Sequence, residues 1–245
     1  MTATGSKTSS PVDFSQIRQL EITGGVLLIA QNAVFFTAFA ILGAAIGWPA
    51  SLDLPAIESL PLIGENASAV FNGYYLYLLS VIITLPMWVV VRNALGERLD
   101  TLGRTLFDLA IYLCIAAVVF KGLGILRWLF AMPHLSDLLD AGDVSPAIIS
   151  MMFDTLNFYA GKSGEHLGVQ LMSALYTLCV GAALARLSGF LRWVGFFAML
   201  VGLLFLPYAD LLDLDNGPFL MISGYSNTAL TIALAVFFLR GQRQM

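Results

Sequence analysis

Charge is what this sequence has least of. Only 11% of its 245 residues are Asp, Glu, Lys or Arg, against 58% hydrophobic, where a soluble domain carries about a quarter charged residues. With a mean hydropathy of +0.83, that scarcity excludes a soluble domain and implies a polytopic membrane protein whose first partner is the lipid bilayer. The net charge of −4 gives no global basic footprint, so nucleic acid is not expected as a partner. Histidine is nearly missing: there are only His134, beside Pro133, and His166. That disfavours haem held by paired histidines inside the bilayer. No short motif offers zinc its three or four ligands, so no metal is expected. Cys114 and Cys179 both fall inside apolar runs, with no CxxC pair. They read as small buried hydrophobes. The last apolar run has no Lys for retinal, and there is no Gly-rich phosphate loop or GxSxG elbow. No cofactor follows from the residues.

What is present is a series of apolar runs long enough to cross a bilayer. The expected fold is all-α: a membrane helix bundle of six transmembrane helices and one interfacial helix. Residues 1–17, rich in Ser and Thr, read as a disordered tail, and 18–241 as the transmembrane domain. The spans are expected near 22–48, 70–91, 105–132, 165–187, 191–212 and 219–239. Residues 49–69 form a loop with three prolines, with room for a short interfacial segment. Pro86 should kink the second span, or a neighbour must satisfy the freed carbonyl. The third span would reach roughly 42 Å, beyond the ~30 Å hydrocarbon core, so its far end should emerge among headgroups. The segment 146–159 mixes apolar and polar positions and reads as an amphipathic helix lying on the membrane surface.

Arginine sorts to one side of this topology. The tails and even-numbered loops carry Arg18, Arg92, Arg98, Arg104, Arg186, Arg192 and Arg240. The opposite loops are acidic. The positive-inside rule then puts both termini in the cytoplasm of a cell whose inner (plasma) membrane holds the protein.

Lys121 and Arg127 are the only basic residues deep within an apolar run. A charge there needs a partner, a water-filled cavity or an escape to the interface; Arg127 is expected to snorkel outward. Glu165 and His166 begin the expected fourth span, and Tyr208 and Asp210 end the fifth, all at similar depth. Arg127 could pair with Asp210 or Glu165. His166, Gln170, Ser173 and Thr177 form a polar stripe at helical spacing. Such stripes either bond helices to one another or line a polar cavity. The candidate ligand-binding residues are therefore Lys121, Arg127, Glu165, His166, Gln170, Tyr208 and Asp210, with no catalytic set.

Gly-Ile-Leu-Arg-Trp-Leu-Phe-Ala-Met-Pro (124–133) and Gly-Glu-His-Leu-Gly (164–168) resemble segments of an uncharacterised family of bacterial multi-pass membrane proteins, catalogued only as a domain of unknown function. The resemblance implies a helical bundle of about this length. It carries over no activity, ligand or catalytic residue.

Three readings follow. In the first, a small amphipathic, lipid-like or anionic ligand enters an outward-facing polar cavity, as in a sensor or transporter. Lys121 and Arg127 supply charge there, and His166, Gln170 and Tyr208 orient the ligand. In the second, the chain is a non-catalytic accessory or scaffold subunit with a membrane protein partner, and its charged cluster is structural. In the third it is an intramembrane enzyme using His166 as general base beside Glu165.

Overall fold

In hydrocarbon every backbone N–H and C=O must be bonded within the chain, which for apolar runs of this length means helix. The computed structural model describes residues 14–207 and 216–241, and among these there is helix and no strand. The helices are α1 (Phe14–Ile46), α2 (Ala56–Glu65), α3 (Ala67–Leu95), α4 (Thr101–Leu126), α5 (Met132–Ala141), α6 (Pro146–Lys162), α7 (Ser173–Ala185), α8 (Phe190–Phe205) and α9 (Asn216–Arg240). Two π-helical segments, Arg127–Ala131 and Ser163–Met172, join α4 to α5 and α6 to α7. Residues 1–13 of the expected tail lie outside the described residues, and its last residues are already helix.

Among the described residues, five helical runs are long and apolar enough to cross a membrane: Ser15–Ile46, Ala67–Leu95, Thr101–Ala141, Pro146–Ala185 and Met221–Arg240. The fifth expected span is the shorter apolar helix Phe190–Phe205, roughly 24 Å long; its expected end beyond Pro207 lies outside the described residues. The loop expected at 49–69 is largely α2, preceded by a 3₁₀ turn at Ala50–Asp53. α3 runs on through Pro86.

Two boundaries differ from the sequence reading. The third span does not stop at Pro133; the run continues to Ala141 and closes on Gly142, whose φ of 72° is the left-handed conformation that glycine adopts most easily. Proline presses on the carbonyl four residues earlier, here that of Leu129. The π segment Arg127–Ala131 widens the helix there. The interfacial segment is helical as expected, but it is not separate from the fourth span: Pro146–Ala185 is one helical run. Gly161 and Gly164 lie in this run and admit close neighbours, Arg127 at the first and Gly124 at the second.

α1 packs on α3 and α9, α4 on α3 and α7, and α7 on α8. Two large apolar clusters result, with a third, small one at Ala174, Val201 and Phe205. One, around Trp88, Phe107, Leu184 and Phe238, fills the half towards the arginine-rich end. The other, around Leu42, Tyr74, Trp128 and Phe153, fills the half towards the acidic loops. We refer to these as the basic and acidic ends. Between helices the contacts include hydrogen bonds and small residues. Asn32 Nδ2 donates to Thr231 Oγ1 at 2.9 Å, tying α1 to α9. Ser136 Oγ donates to the Leu60 carbonyl at 2.8 Å, tying α5 to α2.

The basic end is closed by ion pairs. Arg18 donates to Glu21 and to the Phe238 and Leu239 carbonyls at the end of α9. Arg98 reaches the same Glu21 at 2.8 Å. Asp100 caps α4 by accepting from the Gly103 N–H at 2.7 Å, and it pairs with Arg186. Arg186, with the Gly103 N–H, holds the Asp100 carboxyl down at about 2, from an ordinary 3.8. Because the shift is a depression, its stabilisation is complete above the ordinary value and is lost as the pH falls through about 2.

α7 and α8 meet backbone to backbone. A Cβ on Gly181 would lie 2.7 Å from the Met199 nitrogen and 2.8 Å from the Gly195 carbonyl oxygen. Gly181→Ala is therefore expected to lower stability by about 1–3 kcal/mol through overpacking. Gly224→Ala, with nothing within 4 Å of the new methyl, is expected to be neutral or slightly stabilising. Thermal unfolding in a mild detergent checks both; equal melting temperatures would contradict the α7–α8 contact.

Candidate functional site

The acidic end holds most of the residues singled out from sequence. Arg127 opens the first π segment; Glu165, His166 and Gln170 lie in the second. A π segment adds a residue to a turn, at poorer hydrogen-bond geometry than an α-helix, and such segments are found frequently at functional sites. Here they lie on adjacent helices and face each other through charge. Arg127 Nη2 donates to Glu165 Oε1 at 3.2 Å, and Nη1 to the Asn157 carbonyl at 3.3 Å. Of the two expected partners of Arg127, Glu165 pairs with it; Asp210, like Tyr208, lies outside the described residues.

Arg127 does not snorkel. Its side chain is 5% exposed, whereas that of Glu165 is 43% exposed. The reason is the space made for it. Gly161 stands against the guanidinium, where a methyl group would collide with Nη1. The guanidinium carbon lies 5.4 Å from the centre of the Trp128 ring. Trp128 in turn stacks on Tyr74 at 5.4 Å with the planes 5° apart. Burying a guanidinium costs several kcal/mol unless it is paired and bonded, and the carboxylate, the carbonyl and the ring together offset that cost. Nor does Glu165 begin a helix. It sits within the Pro146–Ala185 run, so Arg127, rather than a helix terminus, is its partner.

Lys121 lies one turn and a half nearer the α4 start. It is half-buried and makes no ion pair among the described residues. Its backbone and stem run along Gly168, where a Cβ would lie 2.7 Å from the Lys121 nitrogen and 2.9 Å from its Cγ. Gly124 and Gly164 meet in the same way, a Cβ on Gly124 falling 2.9 Å from the Gly164 Cα. The α4 contact with the second π segment is thus a glycine contact, of the small-residue kind that lets membrane helices approach closely.

The expected polar stripe does face inward. Gln170, Ser173 and Thr177 are buried. His166 Nδ1 lies 3.3 Å from Gln170 Oε1, and Ser173 Oγ donates to the Gly168 carbonyl at 2.8 Å. Gln170 is 1% exposed, and its Nε2 makes no hydrogen bond among the described residues; the same holds for Tyr74 Oη, Arg127 Nε and Asn157 Oδ1. Buried polar groups are normally satisfied, so this end of the bundle carries unused donors and acceptors around a buried charge. Among the described residues no group of three His, Cys, Asp or Glu could hold a metal ion.

The structure therefore brings Arg127 to Glu165 and His166 to Gln170, and sets Lys121 against the same segment. It also adds residues that sequence reasoning missed. Tyr74, Asn157 and Gly161 carried no signal, because their roles come from packing across helices. A separate cavity of about 350 Å³ lies at the basic end, lined in part by Arg98, Arg186 and Arg192. A smaller, apolar one of about 110 Å³ lies between α2, α5 and α6. Neither is lined by Lys121, Arg127, His166 or Gln170.

Gly161→Ala tests the placement of the guanidinium. The added methyl is expected to dislodge Arg127 and to lower stability by about 1–3 kcal/mol, read as a lower melting temperature. An unchanged melting temperature would mean that Arg127 is not lodged against Gly161. Comparison of the chain with family models, with curated proteins and with solved structures finds no match, and the reading of this site rests on its own geometry.

Proposed function

We propose that this integral membrane protein binds a small anionic or amphipathic molecule at the acidic end of its bundle. The observation that carries the reading is the asymmetry of the Arg127–Glu165 pair. The cation is enclosed and the carboxylate is half-exposed. An incoming carboxylate or phosphate can take the place of Glu165 at Arg127, from the side on which Glu165 is accessible. Lys121, which has no carboxylate of its own among the described residues, adds a second positive charge. His166 and Gln170, with unused bonding capacity at Gln170 Nε2, orient the polar group. Tyr208 and Asp210 remain part of the proposed set. The arginine distribution and the resemblance of 124–133 and 164–168 support a bacterial inner-membrane location with the basic end and both termini cytoplasmic.

A second reading has one observation in its favour. The two cavities described stand away from this site. In that reading the pair is a structural clasp and the protein is an accessory subunit acting through its outer surfaces. The enzyme reading rests on His166 as general base beside Glu165, and the asymmetry of the Arg127–Glu165 pair favours binding over it.

Native mass spectrometry after gentle detergent extraction separates these readings. Ligand binding predicts a bound anionic amphiphile, lost in Lys121→Gln while the melting temperature holds. A stoichiometric second protein chain and no small molecule would favour the accessory subunit. A bare protein, or a ligand equally retained by Lys121→Gln, would contradict the proposal.

A further inference from the structure

The cavity at the basic end has a chemistry of its own. Three guanidinium-bearing residues, Arg98, Arg186 and Arg192, line it, and among the described residues no acidic one does. Glu21 and Asp100, which are not among the lining residues, pair with Arg98 and Arg186 and hold the two side chains in place. Arg98 is also held over the Phe237 ring, 5.8 Å from its centre. Arg192 differs from both. Its Nε donates to the Leu187 carbonyl at 3.0 Å, and it meets no carboxylate among the described residues. The wall therefore presents positive charge to the cavity with one cation uncompensated.

The remaining wall adds two features. α8 begins here, and its first turn has no side-chain cap; the free N–H groups of a first turn favour an anion. Leu191 and Phe237 make an apolar side. Just beyond, Trp193 is exposed in the first turn of the same apolar helix, and tryptophan is a residue type enriched at headgroup depth. An arginine cluster with an apolar flank at that depth fits one chemical class: a phosphate that is esterified to something greasy. Arginine forks match phosphate oxygens bidentately, and basic pockets between membrane helices bind anionic headgroups.

We infer that the Arg98–Arg186–Arg192 cavity binds the phosphate of an anionic phospholipid headgroup, with the lipid's glycerol and upper chains against Leu191 and Phe237. The site is distinct from the one at Arg127, at the other end of the bundle. It would tie the α4 start, the α7–α8 turn and the end of α9 to the leaflet that the arginines face.

The test uses the full chain in detergent and in lipid nanodiscs. Retention of phosphatidylglycerol and of phosphatidylcholine is compared by native mass spectrometry for the wild type, Arg192→Gln and Ser188→Glu. Ser188 is an exposed lining residue, so Ser188→Glu brings a carboxylate to the cavity without removing any arginine. Each change is expected to weaken phosphatidylglycerol retention about fivefold, to leave phosphatidylcholine unaltered, and to preserve the melting temperature in detergent alone. The fivefold loss caused by Arg192→Gln and by Ser188→Glu is expected to be the same in a Lys121→Gln background, which separates this site from the proposed function. Inorganic phosphate is titrated in parallel. If it raises the melting temperature of the wild type but not of Ser188→Glu, and displaces no lipid, the phosphate comes from water and the lipid source is overturned. Equal phosphatidylglycerol retention by the wild type and both variants, with no response to phosphate, would overturn the site altogether.

Discussion

A guanidinium inside an apolar bundle is the constraint to which the acidic half of this protein is fitted. The Arg127 side chain is only 5% exposed, with Gly161 and Trp128 against its guanidinium. Once buried, it must be neutralised and bonded. Glu165 supplies the charge and the Asn157 carbonyl a further acceptor. Both come from the 146–185 run, so that run must lie against the end of α4. Close approach is possible only where side chains are absent, and Gly124, Gly164 and Gly168 form that contact. The two π segments fall at the same level. Charge, glycine contact and helix widening are thus three aspects of one arrangement.

The basic end handles its charges in another way. Its arginines stand near the helix ends, and most are fixed by partners nearby: Glu21 for Arg18 and Arg98, Asp108 for Arg92, Asp100 for Arg186. Exposed pairs of this kind contribute little stability each. Their effect is positional: they hold side chains in a wall instead of leaving them to sweep through solvent. At the acidic end a single enclosed cation is shielded from water; at the basic end several half-exposed cations surround a cavity open to it.

Much of the bundle was legible because hydropathy and length are read along the chain. So was the Arg127–Glu165 pairing as one of two options, since equal depth follows from span boundaries. What was illegible depends on contacts across helices. Gly161 and Gly164 carry no signal when read in order, and only the neighbouring α4 reveals them as packing positions. Pro133 looks like a stop, yet the π widening before it lets the helix continue. Arg98, Arg186 and Arg192 read as topology markers, because nothing in their spacing says that the α7–α8 turn folds back beside the α4 start. The sequence Gly-x-Leu-Arg-Trp occurs at both 124–128 and 189–193, but its arginine is enclosed in one place and borders an open cavity in the other. Tyr208 and Asp210 lie outside the described residues.

Arg127 and Glu165 act as a pair on which the acidic half is built, and a double-mutant cycle reads their coupling. Arg127→Met, Glu165→Met and the double variant would be unfolded reversibly in mixed micelles. The account predicts that Glu165→Met alone costs about 3–5 kcal/mol, because it strands a buried cation, and that adding Arg127→Met recovers most of that loss. Losses that simply add in the double variant would show that the two residues are not coupled, and would contradict the account.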